Sequence, residues 1–203
     1  MDIEYGPDRR VFRLLSTMKG YDGYMIGKLL CRRLENSSME SQSNPCTVRK
    51  QRKNYVILEL RGDAYFLSLT MVYPKDFLPH ILSNQAEKPK PYSENKIKMR
   101  AREKAVASHC FAVSEILDFV QFVQDTNGIH RSENPVVPGL LMAEWFFEVL
   151  HSVDWETAEF RFHTPVYADQ QLCLCWHAEG YDCFLEERGQ LCWCARVKSL
   201  CHE

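Results

Sequence analysis

The sequence predicts an α+β fold in which an antiparallel sheet wraps around one central helix. From Gly139 the chain is apolar on nearly all sides for about three turns, which is typical of a buried helix. After this run come four segments in which apolar and polar residues alternate, as in antiparallel strands. Strands that follow a buried helix in this way favour a sheet packed against that helix.

The composition is that of a globular protein with a substantial core. The 203 residues are 45% hydrophobic and 26% charged, which predicts one compact domain with a sizeable extension. The formal net charge is -2 and the pI is about 6.4. Because nucleic-acid binding usually requires a strongly basic face, nucleic acid is not an expected partner.

Neither a signal peptide nor a membrane span is expected. The opening residues have no basic and apolar targeting regions, and no apolar run approaches the length of a bilayer. The nine cysteines are an odd number spread over most of the chain. They are interpreted as reduced thiols, and the protein is predicted to be cytoplasmic.

The chain divides at residues 84–97, where prolines, polar residues and charges accumulate and apolar residues nearly vanish. This stretch is predicted to be a linker between a β-rich N-terminal region, residues 1–83, and a second domain, residues 98–203. A polar loop is predicted at residues 35–45.

The N-terminal region contains a predicted hairpin. Two segments rich in β-branched and aromatic residues, 54–60 and 64–74, flank the turn residues Arg61, Gly62 and Asp63. The earlier segment 25–35 is compatible with either a helix or a strand.

In the second domain a strand is predicted before Ser114, with Ser114 as the N-cap of a helix. Its apolar positions recur at i, i+3, i+4 and i+7. Asp, Asn and Gly follow, so residues 125–130 are predicted to form a tight loop that can direct side chains into one cleft. The apolar positions are Ile116, Phe119, Val120 and Val123.

Two carboxylates interrupt the apolar run of the predicted central helix. Glu144 and Glu148 are four residues apart and therefore share one face. Because a carboxylate facing an apolar core is costly, that face must meet water, a partner or a cleft.

Two C-x-C pairs lie in the alternating segments after the helix. Cys173 and Cys175 fall opposite leucines, and Cys192 and Cys194 alternate with apolar residues in the same way. Structural zinc sites more often use longer spacings at turns, so these cysteines are predicted to pack in strands and no metal site is expected.

Residues 98–200 resemble the hot-dog fold acyl-thioester dehydratases and hydratases. The segment "DTNGIH" resembles the D-x-N-P-x-H signature of MaoC-like (R)-specific enoyl-CoA hydratases, with Gly128 in place of proline. The following "HRSENPVVPGLLMAE" resembles the corresponding stretch of β-hydroxyacyl-ACP dehydratases, and "FRFHTPVYADQQL" resembles a later strand pair. The resemblance implies a hot-dog domain, with residues 1–83 as either a degenerate second hot dog or an added β layer whose hairpin covers a face or edge of the sheet.

Elimination of water from a 3-hydroxyacyl thioester requires a base, an acid and a donor to the thioester carbonyl. His130 is the candidate base because imidazole titrates near neutrality. Asp125 and Glu144 are the candidate acids, and the sequence does not choose between them. The predicted substrate-binding residues are Asn127, which can orient its neighbours, Gly139, whose N–H can reach the carbonyl oxygen, and Leu140.

The implied partner is an acyl thioester of coenzyme A or acyl carrier protein, in a homodimer, without a further cofactor. Two other functions stay open. One is a hot-dog protein without activity that binds an acyl chain or a partner, since Arg131, Ser132 and Glu133 depart from the dehydratase pattern. The other is an acyl-thioesterase in which Glu144 activates water.

Overall fold

The computed structural model describes residues 6–7, 9–16, 20–34, 46–62, 64–73 and 105–199. The predicted loop at 35–45 and the predicted linker lie outside this part of the chain. The described elements in chain order are α1 (Arg9–Ser16), β1 (Met25–Arg33), β2 (Cys46–Arg52), β3 (Tyr55–Arg61), β4 (Tyr65–Val72), β5 (Ala105–Cys110), α2 (Val113–Val123), a 3-10 helix (Gly128–Arg131), α3 (Gly139–Val149), β6 (Thr157–Phe162), β7 (Gln171–His177), β8 (Gly180–Leu185) and β9 (Gln190–Lys198).

Nine strands form one antiparallel sheet in the order β2-β3-β4-β1-β6-β9-β8-β7-β5. Within the described ranges, the second half contributes β6-β9-β8-β7-β5 and the first half contributes β1-β4-β3-β2, which follows the same order as β6-β9-β8-β7. The halves join where β1 pairs with β6, from Lys28 opposite Arg161 to Arg32 opposite Thr157. The first half therefore extends the sheet at its edge and does not form a separate layer.

The predicted hairpin is confirmed, because β3 and β4 pair in antiparallel register with Leu58 opposite Leu69. Alternate residues of both strands are buried, as expected for strands with one face on a core. The ambiguous segment is the strand β1, which contains a bulge at Gly27 and lies between β4 and β6. It is β1, rather than the hairpin, that covers the edge of the C-terminal sheet.

The four predicted C-terminal strands are confirmed, although they do not form a simple meander. β7, β8 and β9 pair in sequence, whereas β6 lies beyond β9 and connects the two halves. β5 then pairs with β7 at the end of the sheet. The order of the strands in the sheet therefore differs from their order in the chain, and the pattern of apolar and polar residues does not predict it.

Helix α2 has the predicted buried face, since all four predicted apolar residues are fully buried. The prediction that Ser114 caps this helix was wrong. Ala112 is the N-cap residue, and Ser114 lies within the first turn. His109 on β5 instead contacts Glu115 of the first turn, with Nε2 3.2 Å from Oε1.

Helix α3 is the predicted central helix. Seven of its eleven residues are buried, and Phe146 contacts the aromatic rings of Phe160, Tyr181 and Trp193 on three strands. The helix therefore occupies the core against the sheet, as the α+β prediction requires.

The short helix α1 packs on α2 through Phe12, whose ring centroid is 6.5 Å from that of Phe119. Phe12 is fully buried. Just before this helix, Gly6 approaches the central helix so closely that a Cβ there would lie 2.5 Å from Phe147 Cγ. The beginning of the described chain is consequently part of the core and not an appendage. No helix in the described ranges is both long enough and apolar enough to span a bilayer.

Candidate functional site

The loop predicted after α2 begins at Gln124, which adopts a left-handed conformation with φ of 60°. The backbone N–H of Asp125 donates to Val120 O at 3.0 Å and closes the last turn of the helix. A short extended stretch and the 3-10 helix follow. The loop prediction is confirmed, and the loop turns Asp125 and His130 towards one cavity.

Asn127 fixes this loop to the first half of the chain. Its Oδ1 accepts from Gly23 N at 3.2 Å and from Ile129 N at 3.5 Å, and its Nδ2 donates to Tyr24 O at 2.9 Å. The N–H of Asn127 in turn donates to Asp125 Oδ1 at 2.8 Å. A buried amide that donates and accepts in this way holds the loop and the start of β1 in one arrangement.

His130 is buried, with 7% of its surface exposed. Its Nδ1 lies 2.6 Å from the carbonyl oxygen of Val136, so the neutral ring is expected to donate from Nδ1 and to keep its lone pair on Nε2. Nε2 lies 3.7 Å from Asp125 Oδ2. The imidazole is thus oriented by a backbone group, with its basic nitrogen beside a carboxylate.

Burial lowers the pKa of His130 below its ordinary value of 6.5. The negative charge of Asp125 and the hydrogen bond to Val136 act in the opposite direction, and the nearby Arg131 acts with burial. Because the effect of burial is the largest, the net pKa of His130 is lowered. The imidazole is therefore neutral at pH 7 and can accept a proton there.

The acceptor for His130 is itself fixed. Val136 N donates to Ile129 O at 3.1 Å, and Val136 forms an isolated bridge with Tyr167. The next residue, Val137, donates to Val166 O at 2.8 Å. The segment between the 3-10 helix and α3 is therefore held on both sides, which keeps the Val136 carbonyl in place.

A cavity of about 270 Å³ opens beside His130 and is lined mainly by apolar groups. Both halves of the chain form its walls. The first half provides Leu15, Tyr24, Ile26, Leu58, Leu69 and Met71. The second half provides Phe119, Val137, Met142 and Phe162 together with the polar groups of Asp125, Asn127 and His130.

Gly139 and Leu140, at the start of α3, also line the cavity. The first N–H groups of a helix have no acceptor within the helix and carry partial positive charge. A Cβ at Gly139 would lie 3.2 Å from Ile26 Cδ1 and 3.3 Å from Phe162 Cζ. Glycine therefore keeps the approach to this helix end open.

Glu144 does not line the cavity. Its carboxylate binds Arg9 of α1, whose Nε lies 3.0 Å from Oε1 and 2.9 Å from Oε2. The face of α3 that carries the candidate acid Glu144 therefore meets a cation supplied by α1. Glu148, the other carboxylate of this helix, is exposed.

The structure brings together five of the six candidate residues, His130, Asp125, Asn127, Gly139 and Leu140. Sequence reasoning missed the contribution of the first half, including Tyr24 and Ile26. No local pattern marks these residues, since they reach the cavity only through the pairing of β1 with β6. His163 also lines the cavity, and its Nε2 lies 3.5 Å from Cys194 Sγ.

The described ranges contain no cluster of three or more histidine, cysteine, aspartate or glutamate side chains that could hold a metal ion. All eight cysteines in these ranges are thiols rather than disulfides.

Comparisons with known proteins connect this architecture to a fold. HtdX of Mycobacterium tuberculosis superposes with a TM-score of 0.55 at 14% identity, over 92% of this chain and 81% of that one. A MaoC-like dehydratase from Phytophthora capsici gives 0.52 at 10% identity, over 90% and 72% of the two chains. The peroxisomal multifunctional enzyme type 2 of Drosophila melanogaster gives 0.55 at 11% identity, over 95% of this chain but 41% of the fly enzyme.

No protein-family model matches the sequence, and no curated protein matches it either. The structural likeness nevertheless establishes the fold, since the matched lengths include both halves of the sheet. The chain has the hot-dog fold, as its sequence predicts.

Proposed function

We propose that the protein is an (R)-specific 3-hydroxyacyl thioester dehydratase, which also catalyses the reverse hydration of trans-2-enoyl thioesters. The observation that carries this proposal is the pairing of His130 Nε2 with Asp125 Oδ2 at 3.7 Å in an apolar cavity. The folds of HtdX and of a MaoC-like dehydratase support it by analogy.

The roles follow from the geometry of the pair. In the dehydration direction, Nε2 of His130 takes the α-proton, because Nδ1 donates to Val136 and leaves the Nε2 lone pair available. The proton that His130 receives passes through Asp125, whose Oδ2 lies 3.7 Å from Nε2, to the departing hydroxyl group, which leaves as water. The reaction releases no net proton, so each turnover ends as it began, with a neutral imidazole and an anionic carboxylate.

Negative charge develops on the thioester oxygen when the α-proton leaves. The N–H groups at the start of α3, with Gly139 first, are proposed to receive this oxygen, since helix N-termini stabilise anions. Gly139 is suited to this role because its lack of a side chain lets the thioester approach the backbone.

The walls are consistent with an acyl chain as the rest of the substrate. Leu58, Leu69 and Met71 from the first half offer apolar contacts and no charge. A volume of about 270 Å³ is slightly below the range of about 300–1,000 Å³ typical of small-molecule sites. We therefore expect short or medium acyl chains to be preferred over long ones. The carrier, coenzyme A or acyl carrier protein, and the homodimer stay predictions.

The test is an assay of the full chain with crotonyl and longer trans-2-enoyl thioesters on both carriers, in which enoyl absorbance and free thiol are followed together. A hydratase consumes the enoyl signal without releasing thiol. His130→Ala is expected to lower kcat/KM by at least about 100-fold, the typical contribution of a positioned acid or base. Asp125→Asn is expected to show a loss of similar size.

Glu144→Gln and Glu148→Gln are the matched controls on the central helix. Both should keep activity within a few-fold of wild type, because Glu144 binds Arg9 and Glu148 is exposed. Equal activity of the His130 variant and the wild type would contradict the proposal.

Two other outcomes have distinct meanings. Release of free thiol that disappears in Glu144→Gln would identify a thioesterase, although the binding of Glu144 by Arg9 argues against this role. A folded protein that neither hydrates nor hydrolyses any of these thioesters, yet retains acyl chains on purification, would be the inactive acyl-binding alternative.

A further inference from the structure

Strand β2 carries a group of cations at one end of the described sheet. It is the outermost strand there, and six of its seven residues are exposed. The exposed residues include Arg49, Lys50 and Arg52. The register of β2 with β3 shifts between Val48 and Lys50, which indicates a bulge at Arg49. Bulges at sheet edges redirect side chains, so these cations do not simply alternate between the two faces of the sheet.

All three cations meet side chains on the outer face of the sheet, away from the helices. Tyr55 and Glu59 alternate with the buried residues of β3 and therefore lie on this face. Nη1 of Arg49 is 2.6 Å from Oε1 of Glu59. Nζ of Lys50 and Cζ of Arg52 lie 5.8 and 5.9 Å from the centroid of the Tyr55 ring. Lys50 and Arg52 are thus held close together beside one aromatic ring.

The charges of this pair are not neutralised by a neighbouring acid. Within the described ranges, no aspartate or glutamate forms an ion pair with Lys50 or Arg52. Two other cations, Lys28 on β1 and Arg161 on β6, share the carboxylate of Glu159 at 2.9 and 3.1 Å. The hydrogen bond from Lys28 is the largest cause that lowers the pKa of Glu159, so this carboxylate stays ionised between its two cations. The pair on β2 has no such anion, and a ligand can supply one.

The cation pair lies beside the mouth of the cavity. Tyr55 is opposite Val72 in the register of β3 and β4, and the exposed Val72 lines the cavity. The next residue, Tyr73, is also exposed, and its ring centroid is 5.3 Å from that of Tyr24, which lines the cavity as well. Neighbouring strands are about 4.8 Å apart, so β2 lies about 10 Å from the part of the wall on β4. A ligand that emerges from the cavity here reaches the two cations.

The cavity itself does not suit a phosphate group. Among the described residues that line it, Asp22 and Asp125 are acidic, and none is a lysine or an arginine. The carriers of acyl thioesters bear their phosphate groups at the far end of a pantetheine arm. When the thioester lies beside His130, these phosphate groups are therefore expected outside the cavity, where the arm emerges.

The compactness of the cation pair favours coenzyme A over acyl carrier protein. Coenzyme A places a diphosphate and a 3′-phosphate on one adenosine. Acyl carrier protein has a single phosphodiester, and its carboxylates are spread over a protein surface. Two adjacent cations beside exposed aromatic rings match a nucleotide, because phosphate binds lysine and arginine and the base stacks on aromatic side chains.

We propose, in a step that rests on the proposed acyl-thioester function, that Lys50 and Arg52 bind the phosphate groups of coenzyme A at the mouth of the cavity. The ammonium of Lys50 and the guanidinium of Arg52 donate hydrogen bonds to phosphate oxygens. The exposed ring of Tyr73 offers a surface for the adenine base. The pantetheine arm then passes Val72 and carries the thioester to His130. The carrier is accordingly coenzyme A, and the first half of the chain selects it.

The first test measures binding without turnover. Adenosine 3′,5′-bisphosphate, the nucleotide end of coenzyme A without its arm, is titrated into the full-length protein in a calorimeter. We expect saturable binding, and the double variant Lys50→Ala/Arg52→Ala should weaken it by about 10-fold or more, because charge-assisted hydrogen bonds are lost. Added salt should weaken binding to the wild type, since both cations are exposed. None of these results depends on whether the protein is a dehydratase.

The second test compares crotonyl-CoA with crotonyl-pantetheine, which has the same thioester without the nucleotide. The double variant should raise KM for crotonyl-CoA by about 10-fold, and its kcat/KM for crotonyl-CoA relative to crotonyl-pantetheine should fall by a similar factor. If neither thioester is turned over although the nucleotide binds and the double variant weakens it, the nucleotide site is supported and the proposed function is contradicted.

Lys198→Ala is the matched control. Lys198 is an exposed cation opposite Thr157 at one end of β6, whereas β6 reaches the cavity through Phe162 at its other end. This variant should keep the nucleotide affinity and the kinetic ratio of the wild type. Circular dichroism of each variant establishes that the sheet is intact.

No binding of the nucleotide by the wild type, or equal binding by the wild type and the double variant, would overturn the proposal. A double variant that loses activity only towards enoyl thioesters of acyl carrier protein would overturn it as well, and would assign the basic strand to that carrier.

Discussion

Arg9 Nε contacts both carboxylate oxygens of Glu144, at 3.0 and 2.9 Å, across 135 positions of the sequence. The guanidinium also lies over the ring of Phe119, 5.5 Å from its centroid. This contact explains how a central helix that is apolar on nearly all sides carries a carboxylate. The charge meets a cation from α1, and the acid that stays beside His130 is Asp125.

Replacing Arg9 with alanine is expected to lower the free energy of unfolding by about 1–3 kcal/mol, because a charge-assisted pair of hydrogen bonds to a largely buried carboxylate is lost. The side chain of Glu144 is only 14% exposed. Chemical denaturation measures the change, and the exposed Arg13 on the same helix provides the control substitution to alanine. A double variant with Glu144→Gln should be less destabilised than the sum of the single variants.

Folding stability should decrease on acidification because of His130. Burial keeps its folded pKa below 6.5, so between the two values the unfolded chain binds more protons than the folded chain. The contribution of His130 to the free energy of unfolding is complete above about pH 6.5 and is lost progressively as the pH falls towards the folded pKa. Denaturation midpoints from pH 7.5 to 5 should show a shallower decline in His130→Gln. The exposed His151→Gln should follow the wild type, and an unchanged slope in both variants would contradict the assignment.

Gly128→Pro should stabilise the loop that holds the site. Gly128 does not adopt a left-handed φ, and a Cβ there would have nothing within 4 Å. Asn127, just before it, has a ψ of 114°, compatible with a following proline. We expect a gain of about 0.4–1 kcal/mol, from reduced freedom of the unfolded chain. Gly180→Ala should show the opposite sign, since Gly180 has a φ of 145° and a Cβ there would collide with Ala195.

Asn127→Asp tests whether the contact between the loop and β1 supports the proposed reaction. The carboxylate can still accept from Gly23 N, but it cannot donate to the carbonyl of Tyr24. We expect kcat/KM for an enoyl thioester to fall by about 10-fold or more, as the position of Asp125 relaxes. Thr126→Val removes the neighbouring exposed hydrogen bond to Asp22 and should leave kcat/KM nearly unchanged. Equal effects of both substitutions would indicate a general loss of loop structure.

Chain-length preference should respond to Met71, which lines the cavity from β4 and is only partly buried. Met71→Ala enlarges the cavity at its apolar wall and should raise kcat/KM for longer enoyl thioesters relative to the crotonyl thioester. Met71→Trp should have the opposite effect by filling the same space. Ratios of kcat/KM across a series of chain lengths provide the measurement, and ratios that do not move would separate Met71 from the acyl chain.

Local patterns predicted much of the second half. The 3.6-residue periodicity of α2 identified all four of its buried residues, and alternation identified β6 to β9. The cap at Ser114 failed because the contact between His109 and Glu115 and the extended Ala112 fix the start of the helix instead. Which strands become neighbours was not predictable, since pairing depends on crossovers between distant segments.

The site was predicted only where its residues are close in sequence. Asp125, Asn127, His130 and Gly139 lie within 15 positions, and a turn and a helix start bring them together. Arg9 and Ile26 are more than a hundred positions away from Glu144 and Gly139, and no pattern in the sequence connects them. The contact of Glu144 with Arg9 is such a distant pairing.

The pairing of β1 with β6 joins two halves that are proposed to have different roles in the site. Proton transfer is proposed for residues of the second half, whereas much of the apolar wall comes from Ile26, Leu58, Leu69 and Met71 of the first. Mutations in these walls can retune which acyl groups are accepted while the histidine and its carboxylate stay untouched. Homologues of this chain should therefore differ more in the acyl chains that they accept than in their proton-transfer residues. Most of these differences should lie in the first half of the chain.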